Sequence, residues 1–325
     1  MTAPRSGGDA HNAGLTVRPM RLGDVAAADR IFRLAFGTFV GLPDPLQFAD
    51  GRDYIGTRFA ASPASVFVAE RNGEVVGSNL AADWGSVGCV GPLTVHPDYW
   101  DKGVGVQLMK PVMECFERWG VRLAGLYTFS NSVKHVGLYQ KFGFWPRFLT
   151  ALMAKPVEQP ASAPKFVTLF SLPAAEREKV IAACRGLTEA LYDGLDLSGE
   201  IRAVEQQRLG DVVLLQELSK LVAFAVCHCG VGTEAGPGSC YAKFAAVRPS
   251  ADSEKHFEGL LAAWESFAHL RGLARMVAGV NAGRAAAYAA MLNYGFRTER
   301  QGLAMHRPNE AGYSRPECFV LDDWR

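Results

Sequence analysis

The sequence predicts a mixed α/β fold, in the α+β sense of a largely antiparallel sheet with flanking helices, built twice in tandem. Three observations predict it. Apolar runs of strand length alternate with amphipathic segments of helix length, two strands are joined by a tight turn, and a set of residues recurs at a fixed spacing. The 325 residues suffice for two domains, each with its own core.

The first predicted elements are a short strand at 17–20 and a helix over 25–36. Asp24 is the expected N-cap of that helix, because its carboxylate can accept hydrogen bonds from amides of the first turn. Two prolines that follow the helix indicate a loop, and residues 53–60 are predicted to form a second short helix.

A β-hairpin comes next, since residues 66–70 and 74–81 are apolar or alternating runs on either side of Asn72–Gly73. A strand, an amphipathic helix, another strand and a short helix then follow. They are predicted at 87–95, 106–119, 123–129 and 133–142. This order of elements is typical of helices packed on a largely antiparallel sheet.

The second half of the chain repeats the first at a fixed distance. Val95 and Val247 are 152 positions apart, and seven further identities share that spacing. The first members of those pairs are Pro97, Leu108, Gly120, Gly143, Phe144, Met153 and Pro156. The hairpin recurs at a spacing of 146, and the Gly-rich loop 230–239 absorbs the difference, because loops tolerate insertions.

The repeat sets the expected domain organisation. A first copy covers 15–157 and a second copy covers 165–325, joined by a Pro/Ala/Ser-rich linker at 158–164. Residues 1–14 are polar and lack the apolar core of a signal peptide. They are predicted to be a disordered leader.

Composition and charge narrow the function classes. Apolar residues make up 49% and charged residues 21% of the chain, as in a soluble globular protein. The formal net charge of +1 gives no reason to expect nucleic acid or a membrane as a partner. No apolar run approaches the roughly 20 residues needed to span a bilayer. The odd count of seven cysteines fits reduced thiols in the cytoplasm.

Side chains of metal-binding type cluster at Cys227, His228, Cys229 and Cys240. The first three lie in a predicted strand, where alternation sends Cys227 and Cys229 to one face and His228 to the other. Ligands on two faces cannot share one ion, so we predict buried thiols and no metal.

A Gly-x-Gly turn stands between a predicted strand and a predicted helix, at residues 96–105. Glycine lets the backbone come close to a ligand, and amides at a helix N-terminus carry partial positive charge. Gly103 and Gly105 therefore predict an anion cradle, with a pyrophosphate as its natural ligand. A turn also needs glycine for its own geometry, so the pattern is weak by itself.

The surroundings of the turn strengthen this prediction. The strand ends in Leu93-x-Val95-x-Pro97, and Gly-Leu-Tyr-Gln-Lys-Phe-Gly-Phe follows the turn at 137–144. Together these motifs resemble the GNAT superfamily of acyl-CoA-dependent N-acyltransferases. The resemblance covers residues 15–156 well and 165–325 in outline only.

The resemblance implies acetyl-CoA as co-substrate, and no metal. It assigns the pyrophosphate to the backbone of five residues: Lys102, Gly103, Val104, Gly105 and Val106. It assigns the pantetheine arm to the backbone of Leu93, Thr94 and Val95, where a splayed strand leaves amide and carbonyl groups free to pair. Trp100 stands where the family has Gln or Arg, which weakens any side-chain contact to phosphate at that position.

Acyl transfer to an amine needs a base for the amine, a donor for the oxyanion and an acid for the leaving thiolate. The resemblance gives the acid role to Tyr139, whose phenol has an ordinary pKa of about 10. Cys89 stands where several family members have a Glu. Asp83 is therefore the candidate base, with a water relay as its alternative. The other candidates are His96 and His135. The Val95 amide is the expected oxyanion donor.

The second copy lacks these groups. Its turn becomes 252–257, with no glycine and two carboxylates, and Tyr139 corresponds to Met291. We expect a structural or substrate-shaping lobe. Arg284 and Tyr288 are expected on an exposed helix face, with contact to a ligand as the alternative.

The leading prediction is an enzyme that moves an acetyl group from acetyl-CoA to a primary amine by direct attack. The acceptor is a small-molecule amine or a protein amine, and Phe36, Phe39 and Leu42 are expected to form an apolar wall for it or to serve the core. The alternatives are a non-catalytic acyl-CoA-binding sensor or assembly module, and a protein-lysine acyltransferase. A homodimer is compatible with the sequence.

Overall fold

The computed structural model describes residues 14–158 and 165–325. The predicted leader lies outside the described residues except for Gly14, and the predicted linker lies outside them except for Glu158. The chain forms two compact units. The first comprises the described residues up to Asp50, Tyr54–Ala82 and Val90–Arg118, and the second comprises Gly51–Asp53, Asp83–Cys89 and the described residues from Trp119 onward. Within the described ranges, no helix combines the length and apolar character needed to cross a bilayer.

The first copy contains the predicted elements, but the predicted strand 87–95 is split in two and a further strand lies at Trp145–Pro156. Its strands are β1 (Leu15–Pro19), β2 (Val66–Arg71), β3 (Glu74–Trp84), β4 (Val87–Val90), β5 (Thr94–Val95), β6 (Leu123–Thr128) and β7 (Trp145–Pro156). Its helices are α1 (Val25–Val40), α2 (Ile55–Ala61), α3 (Val104–Trp119) and α4 (Val133–Gln140). The predicted strand 87–95 is interrupted at 91–93, where Pro92 has no amide hydrogen to donate to a ladder.

Asp24 stands at the N-cap of α1 as predicted, but its side chain accepts no capping hydrogen bond from that helix. Its carboxylate instead accepts a hydrogen bond from the Arg21 amide over 2.7 Å and pairs with Arg18 over 2.6 Å. The hydrogen bond from Arg18 lowers the pKa of Asp24. The carboxylate is thus engaged by the residues that precede the helix.

In the first unit, β1, β2 and β3 form an antiparallel sheet in that order, and β5 pairs antiparallel with β3. Aromatic side chains of α1 contribute to its core. Phe36 lies edge-on to Phe32 with ring centroids 5.2 Å apart, and it stacks on Phe48 at 5.4 Å. Phe36 therefore serves the core, which is one of its two expected roles.

The second copy repeats the order of elements. Its strands are β8 (Val167–Thr168), β9 (Gly210–Glu217), β10 (Lys220–Gly230), β11 (Gly236–Val247), β12 (Arg275–Asn281) and β13 (Arg297–Arg307). Its helices are α5 (Ala174–Glu189), α6 (Ser198–Gln207), α7 (Ser253–Leu270) and α8 (Ala285–Asn293). β6 and β12 begin 152 positions apart, as do α4 and α8. A further strand, β14 (Val320–Leu321), lies beyond the last element of the repeat.

Within the second unit, strands are hydrogen-bonded in the order β6-β13-β7-β12-β11-β10-β9-β8. The pairs are antiparallel except for β11 and β12, which run parallel. β7 of the first copy therefore lies between two strands of the second, and β13 of the second lies between two strands of the first. The copies exchange their last strands.

The exchange places equivalent residues in equivalent contacts. A Cβ at Gly143 would lie 3.6 Å from Arg307 Nε, and a Cβ at Gly295 would lie 3.3 Å from Lys155 Cε. Both glycines and both basic residues are 152 positions apart. The two copies are therefore connected by hydrogen-bonded strands as well as by the continuous chain.

Candidate functional site

The interruption between β4 and β5 is a β-bulge. The Gly91 amide donates to the Leu80 carbonyl over 2.8 Å, whereas Thr94 is paired with Ser78. Leu80 and Ser78 are two positions apart on β3, whereas their partners Gly91 and Thr94 are three positions apart. The opposite strand thus has one extra residue, which bends it locally. Arg58 of α2 donates to the Gly91 carbonyl over 2.8 Å, which fixes the bulge.

β5 has one open edge. The His96 amide donates to the Val76 carbonyl over 2.9 Å, so the adjacent Gly77–Val95 pair is a non-hydrogen-bonded pair of the antiparallel ladder. The amide and the carbonyl of Val95 consequently point away from β3. No strand pairs with that edge in the residues that the structure describes. An extended ligand with amide groups can pair there.

Small and polar residues hold β5 against β3 and α3. Ser78 Oγ and Thr94 Oγ1 are 3.0 Å apart, and Asn79 Nδ2 donates to the Leu108 carbonyl over 3.2 Å. A Cβ at Gly77 would lie 2.7 Å from the Thr94 carbonyl oxygen, so this close approach of strands requires glycine. The sequence motifs did not point to these residues, although the run Gly77-Ser78-Asn79 inside an apolar strand is a signal for them.

The turn at 100–105 connects β5 to α3. Asp101 and Gly103 have φ values of 63° and 79°, in the left-handed region that favours glycine. α3 begins at Val104, and the first amides of a helix have no acceptor within it. The Val106 amide is engaged already, since it donates to the Gly103 carbonyl over 3.1 Å.

Two side chains position this turn. Trp100 Nε1 donates to the Val95 carbonyl over 2.8 Å, and Lys102 Nζ donates to the Asp98 carbonyl over 2.7 Å. Lys102 Nζ also lies 5.2 Å from the centre of the Tyr99 ring. Trp100, the departure from the family pattern, thus links the turn to the open edge.

The first unit therefore brings the predicted co-substrate residues into one bulge, one strand edge and one helix start. They are Leu93, Thr94, Val95, Lys102, Gly103, Val104, Gly105 and Val106. Thr94 and Val104 have buried side chains, and the backbone amide and carbonyl of Thr94 face β3, where Thr94 is paired with Ser78.

Tyr139 belongs to the second unit, on α4. Its side chain is buried, and its ring lies edge-on to Phe144 with centroids 6.4 Å apart. Burial raises the pKa of the Tyr139 phenol, so the proton is retained across the neutral range. The amides of Phe142 and Phe144 donate to the Tyr139 carbonyl over 2.9 and 3.2 Å, with Gly143 at a φ of 80°, which ends α4.

Asp83 also belongs to the second unit and is exposed at the end of β3. Its Oδ1 accepts a hydrogen bond from the Gly85 amide over 2.8 Å, which closes a turn. Neighbouring protein atoms desolvate the carboxylate and the charge of Asp196 repels it, so the pKa of Asp83 is raised despite this hydrogen bond. Asp83 is thus a turn residue with a carboxylate more basic than usual.

The other candidate bases have different surroundings. Cys89 is buried. In the first unit, His96 Nδ1 accepts a hydrogen bond from the Asp98 amide over 3.3 Å. In the second unit, desolvation and then the Lys134 charge lower the pKa of His135, which keeps its ring neutral at physiological pH.

The cysteine cluster lies in the core of the second unit. Cys227 and Cys240 are buried, and the Sγ atoms of Cys229 and Cys240 are 3.7 Å apart. Burial raises the pKa of the Cys240 thiol, and the seven cysteines, all of which lie in the described residues, form no disulfide bonds. In residues 14–158 and 165–325, no three His, Cys, Asp or Glu side chains form a group that could hold a metal ion.

The equivalent positions of the second copy have different surroundings. Ser253 Oγ, at the start of α7, accepts a hydrogen bond from the Ser250 amide over 2.8 Å, and Met291, which replaces the tyrosine, is buried on α8. Arg284 is buried and pairs with Asp322 over 2.8 Å, so the prediction of an exposed or ligand-facing arginine is wrong. A buried guanidinium requires such a partner, which the sequence spacing did not reveal.

Residues 29–144 match the model of the acetyltransferase (GNAT) family. No curated protein matches the chain. Among solved structures, a protein from Pyrococcus horikoshii that is provisionally named an acetyltransferase has a TM-score of 0.68 at 15% identity, covering 96% of this chain and 95% of that one.

Two further structures have the same fold. A GCN5-related N-acetyltransferase from Sphaerobacter thermophilus has a TM-score of 0.57 at 15% identity, over 90% of this chain and 95% of that one. A GCN5-related glucosamine N-acetyltransferase region of a fungal multi-domain β-N-acetylglucosaminidase has a TM-score of 0.62 at 16% identity, over 90% of this chain and 38% of that one. At such identities the likeness shows the fold alone.

Proposed function

Residues 29–144 match the model of the acetyltransferase (GNAT) family, and on this premise we propose that the chain moves an acetyl group from acetyl-CoA to a primary amine. The observation that carries the proposal is the open edge of β5, which directly precedes a turn into the N-terminus of α3. A strand edge accepts a chain that bears amides, and a helix N-terminus accepts phosphate. CoA contains both groups, the amide-bearing pantetheine arm and the pyrophosphate.

The proposed binding follows from these two surfaces. The amides of Lys102, Gly103, Val104 and Gly105 bind the pyrophosphate, and Val106 belongs to the same helix terminus. Charge-assisted hydrogen bonds of this kind are worth roughly 1.5–3 kcal/mol each. The backbone of Leu93 and Val95 pairs with the amides of the pantetheine arm, whereas the amide and carbonyl of Thr94 face Ser78 of β3.

In the proposed reaction, the amine nitrogen attacks the carbonyl carbon of the thioester, so that a C–N bond forms and the C–S bond breaks. The Val95 amide donates to the oxyanion of the intermediate. Tyr139 gives its proton to the departing thiolate and is reprotonated by solvent. Asp83, or a water molecule in its place, takes the proton that the amine loses.

The acceptor in the proposal is a small primary amine. One structure of the same fold is a glucosamine N-acetyltransferase region, so an amino sugar belongs among the amines to be tested. A lysine-containing peptide tests the protein amine that the sequence also allows.

A second candidate function is a non-catalytic acyl-CoA sensor. Two observations favour it over an enzyme: Cys89, at the family's Glu position, is buried, and the Asp83 carboxylate is engaged in a turn. Both functions use the same binding surface and differ only in turnover.

Release of CoA in the presence of a panel of amines tests the proposal, with wild type compared to Tyr139→Phe. We expect turnover of at least one amine, and a kcat lowered about 10²-fold or more by Tyr139→Phe. The matched control is Tyr288→Phe, which removes a hydroxyl from the corresponding helix of the second copy and should leave kcat unchanged. Acetyl-CoA binding without turnover of any amine would establish the sensor, and absence of binding would end both.

A further inference from the structure

The strand β14 pairs with the edge of β11 in the second unit. Ala245 is opposite Leu321 and Ala246 is opposite Val320, in antiparallel register. The ladder continues with the Val247 amide, which donates to the Phe319 carbonyl over 3.1 Å. Residues 319–321, here called the closing segment, thus cover three residues of β11.

These three residues of β11 are the equivalents of the predicted pantetheine-binding residues. Ala245, Ala246 and Val247 lie 152 positions after Leu93, Thr94 and Val95.

The hydrogen bonding on the inner side of the two strands is also the same. The Arg248 amide donates to the Val222 carbonyl over 2.8 Å, as the His96 amide donates to Val76 over 2.9 Å. The amide of Val247 therefore points to the same side of its strand as the amide of Val95, and there it meets the closing segment.

We infer that the closing segment permanently occupies, in the second copy, the slot that acetyl-CoA occupies in the first, so that one chain binds one acetyl-CoA. The inference rests on the proposed function for the first copy. A peptide strand can take this place because it offers the same extended row of amide and carbonyl groups as pantetheine.

The residues after the closing segment anchor it. Asp322 pairs with Arg284 over 2.8 Å and accepts a hydrogen bond from the Tyr313 hydroxyl over 2.7 Å. Tyr241, at the position of Cys89, donates its hydroxyl hydrogen bond to Asp323 over 3.1 Å. These contacts are buried, so a solvent-borne ligand would have to break them to displace the segment.

Two glycines leave room for the anchor. A Cβ at Gly279 would lie 2.1 Å from the Asp323 Cβ, and a Cβ at Gly125 would lie 2.2 Å from the Trp324 ring. Both values are far below van der Waals contact. Glycine at each position is therefore required for the chain to pass so close to β12 and β6.

Exchange of single backbone amides, followed by NMR, tests the inference in the wild-type protein. We expect the Val247 amide to exchange slowly with or without acetyl-CoA, and the Val95 amide to become protected only when acetyl-CoA is added. Binding should saturate at one equivalent per chain. A second equivalent, or faster exchange at Val247 on addition of acetyl-CoA, would overturn the inference while leaving the proposed function intact. No binding at all would overturn both.

A variant pair tests the placement of the segment without any ligand. Gly279→Ala should push the anchor away and speed Val247 exchange by about fivefold or more, as expected for loss of a hydrogen bond. Gly186→Ala is the control, since a Cβ there meets nothing within 4 Å. Unchanged Val247 exchange in folded Gly279→Ala protein would contradict the anchoring, and if that variant does not fold, the wild-type measurements decide alone.

Discussion

The indole nitrogen of Trp100 donates a hydrogen bond to the carbonyl oxygen of Val95 over 2.8 Å. The donor belongs to the turn that opens α3, and the acceptor belongs to the open edge of β5. One bond therefore fixes the distance between the proposed pyrophosphate and pantetheine sites. A Gln or Arg side chain at this position could donate a hydrogen bond to phosphate, whereas the indole N–H of Trp100 donates to the strand instead.

We expect Trp100→Phe to weaken acetyl-CoA binding, because an aromatic ring is kept while the indole N–H that donates to Val95 is lost. A net contribution of about 0.5–1.5 kcal/mol corresponds to a KM for acetyl-CoA raised about 2- to 13-fold. Steady-state kinetics would measure it, with kcat largely retained. Trp145→Phe is the control, since that indole is 54% exposed. An equal KM in the two variants would show that the bond does not position the turn.

Asp83→Asn should lower kcat about 10²-fold if Asp83 is the base. Asparagine can still accept the Gly85 hydrogen bond, so thermal stability should change little. Asp44→Asn is a matched control, because Asp44 accepts from the Leu46 amide over 3.1 Å in the same way. Because the pKa of Asp83 is raised, the acidic decline of kcat in wild type should begin at a higher pH than for an ordinary aspartate. An unchanged kcat would assign proton removal to water.

Arg284→Met should destabilise the protein by about 3–5 kcal/mol, because it leaves the buried Asp322 carboxylate without its charge partner. Urea denaturation would measure the loss. The double variant Arg284→Met with Asp322→Asn should recover part of it, since no lone charge remains buried. Arg275→Met breaks the exposed pair with Glu299 and should cost less than about 1 kcal/mol. Equal losses at the two sites would contradict the anchoring role of Arg284.

His306 should make the protein less stable in mild acid. Its ring is buried and Nδ1 donates to the Glu310 carbonyl over 2.7 Å, and desolvation, with the charges of Arg284 and Arg147, lowers the pKa of His306 to about 4. Below about pH 6.5 His306 is protonated in the unfolded chain, whereas in the folded chain it stays neutral until about pH 4. The contribution of His306 to the free energy of unfolding is therefore complete above about pH 6.5. It decreases by about 3 kcal/mol in total as the pH falls to about 4.

Denaturation at a series of pH values from 7 to about 4 would measure this loss. His306→Gln should remove that part of the pH dependence, whereas His269→Gln, at an exposed position, should keep it. A wild-type slope that survives in His306→Gln would assign the acid sensitivity to other groups.

The repeat of elements and the turn before α3 could be predicted from the sequence, because both leave local signals. The spacing of 152 reappears in the starts of β6 and β12, and the Gly-x-Gly turn does precede a helix. The interruption at Gly91–Leu93 was missed, because an apolar run shows where strand residues lie but not where a ladder is broken. The closing segment was missed for another reason: it lies beyond Pro308, the last matched position, so the repeat carries no information about it.

The strand exchange could not be predicted at all. A repeat makes β7 and β13 similar, and similarity cannot tell which copy each strand joins. The exchanged arrangement is identified by strand pairing between the copies, for example of Ala278 in β12 with Met153 in β7 and of Met305 in β13 with Leu126 in β6.

This exchange has a consequence for synthesis on the ribosome. Thr128 at the end of β6 and Arg297 at the start of its neighbour β13 are separated by 169 positions, so β6 emerges long before the strand that completes it. At ordinary elongation rates of about 5–20 residues per second, the nascent chain waits roughly 8 to 34 seconds with that edge unpaired. Unpaired edges can associate with other chains, so the stage of synthesis between β6 and β13 is the one at which we expect aggregation.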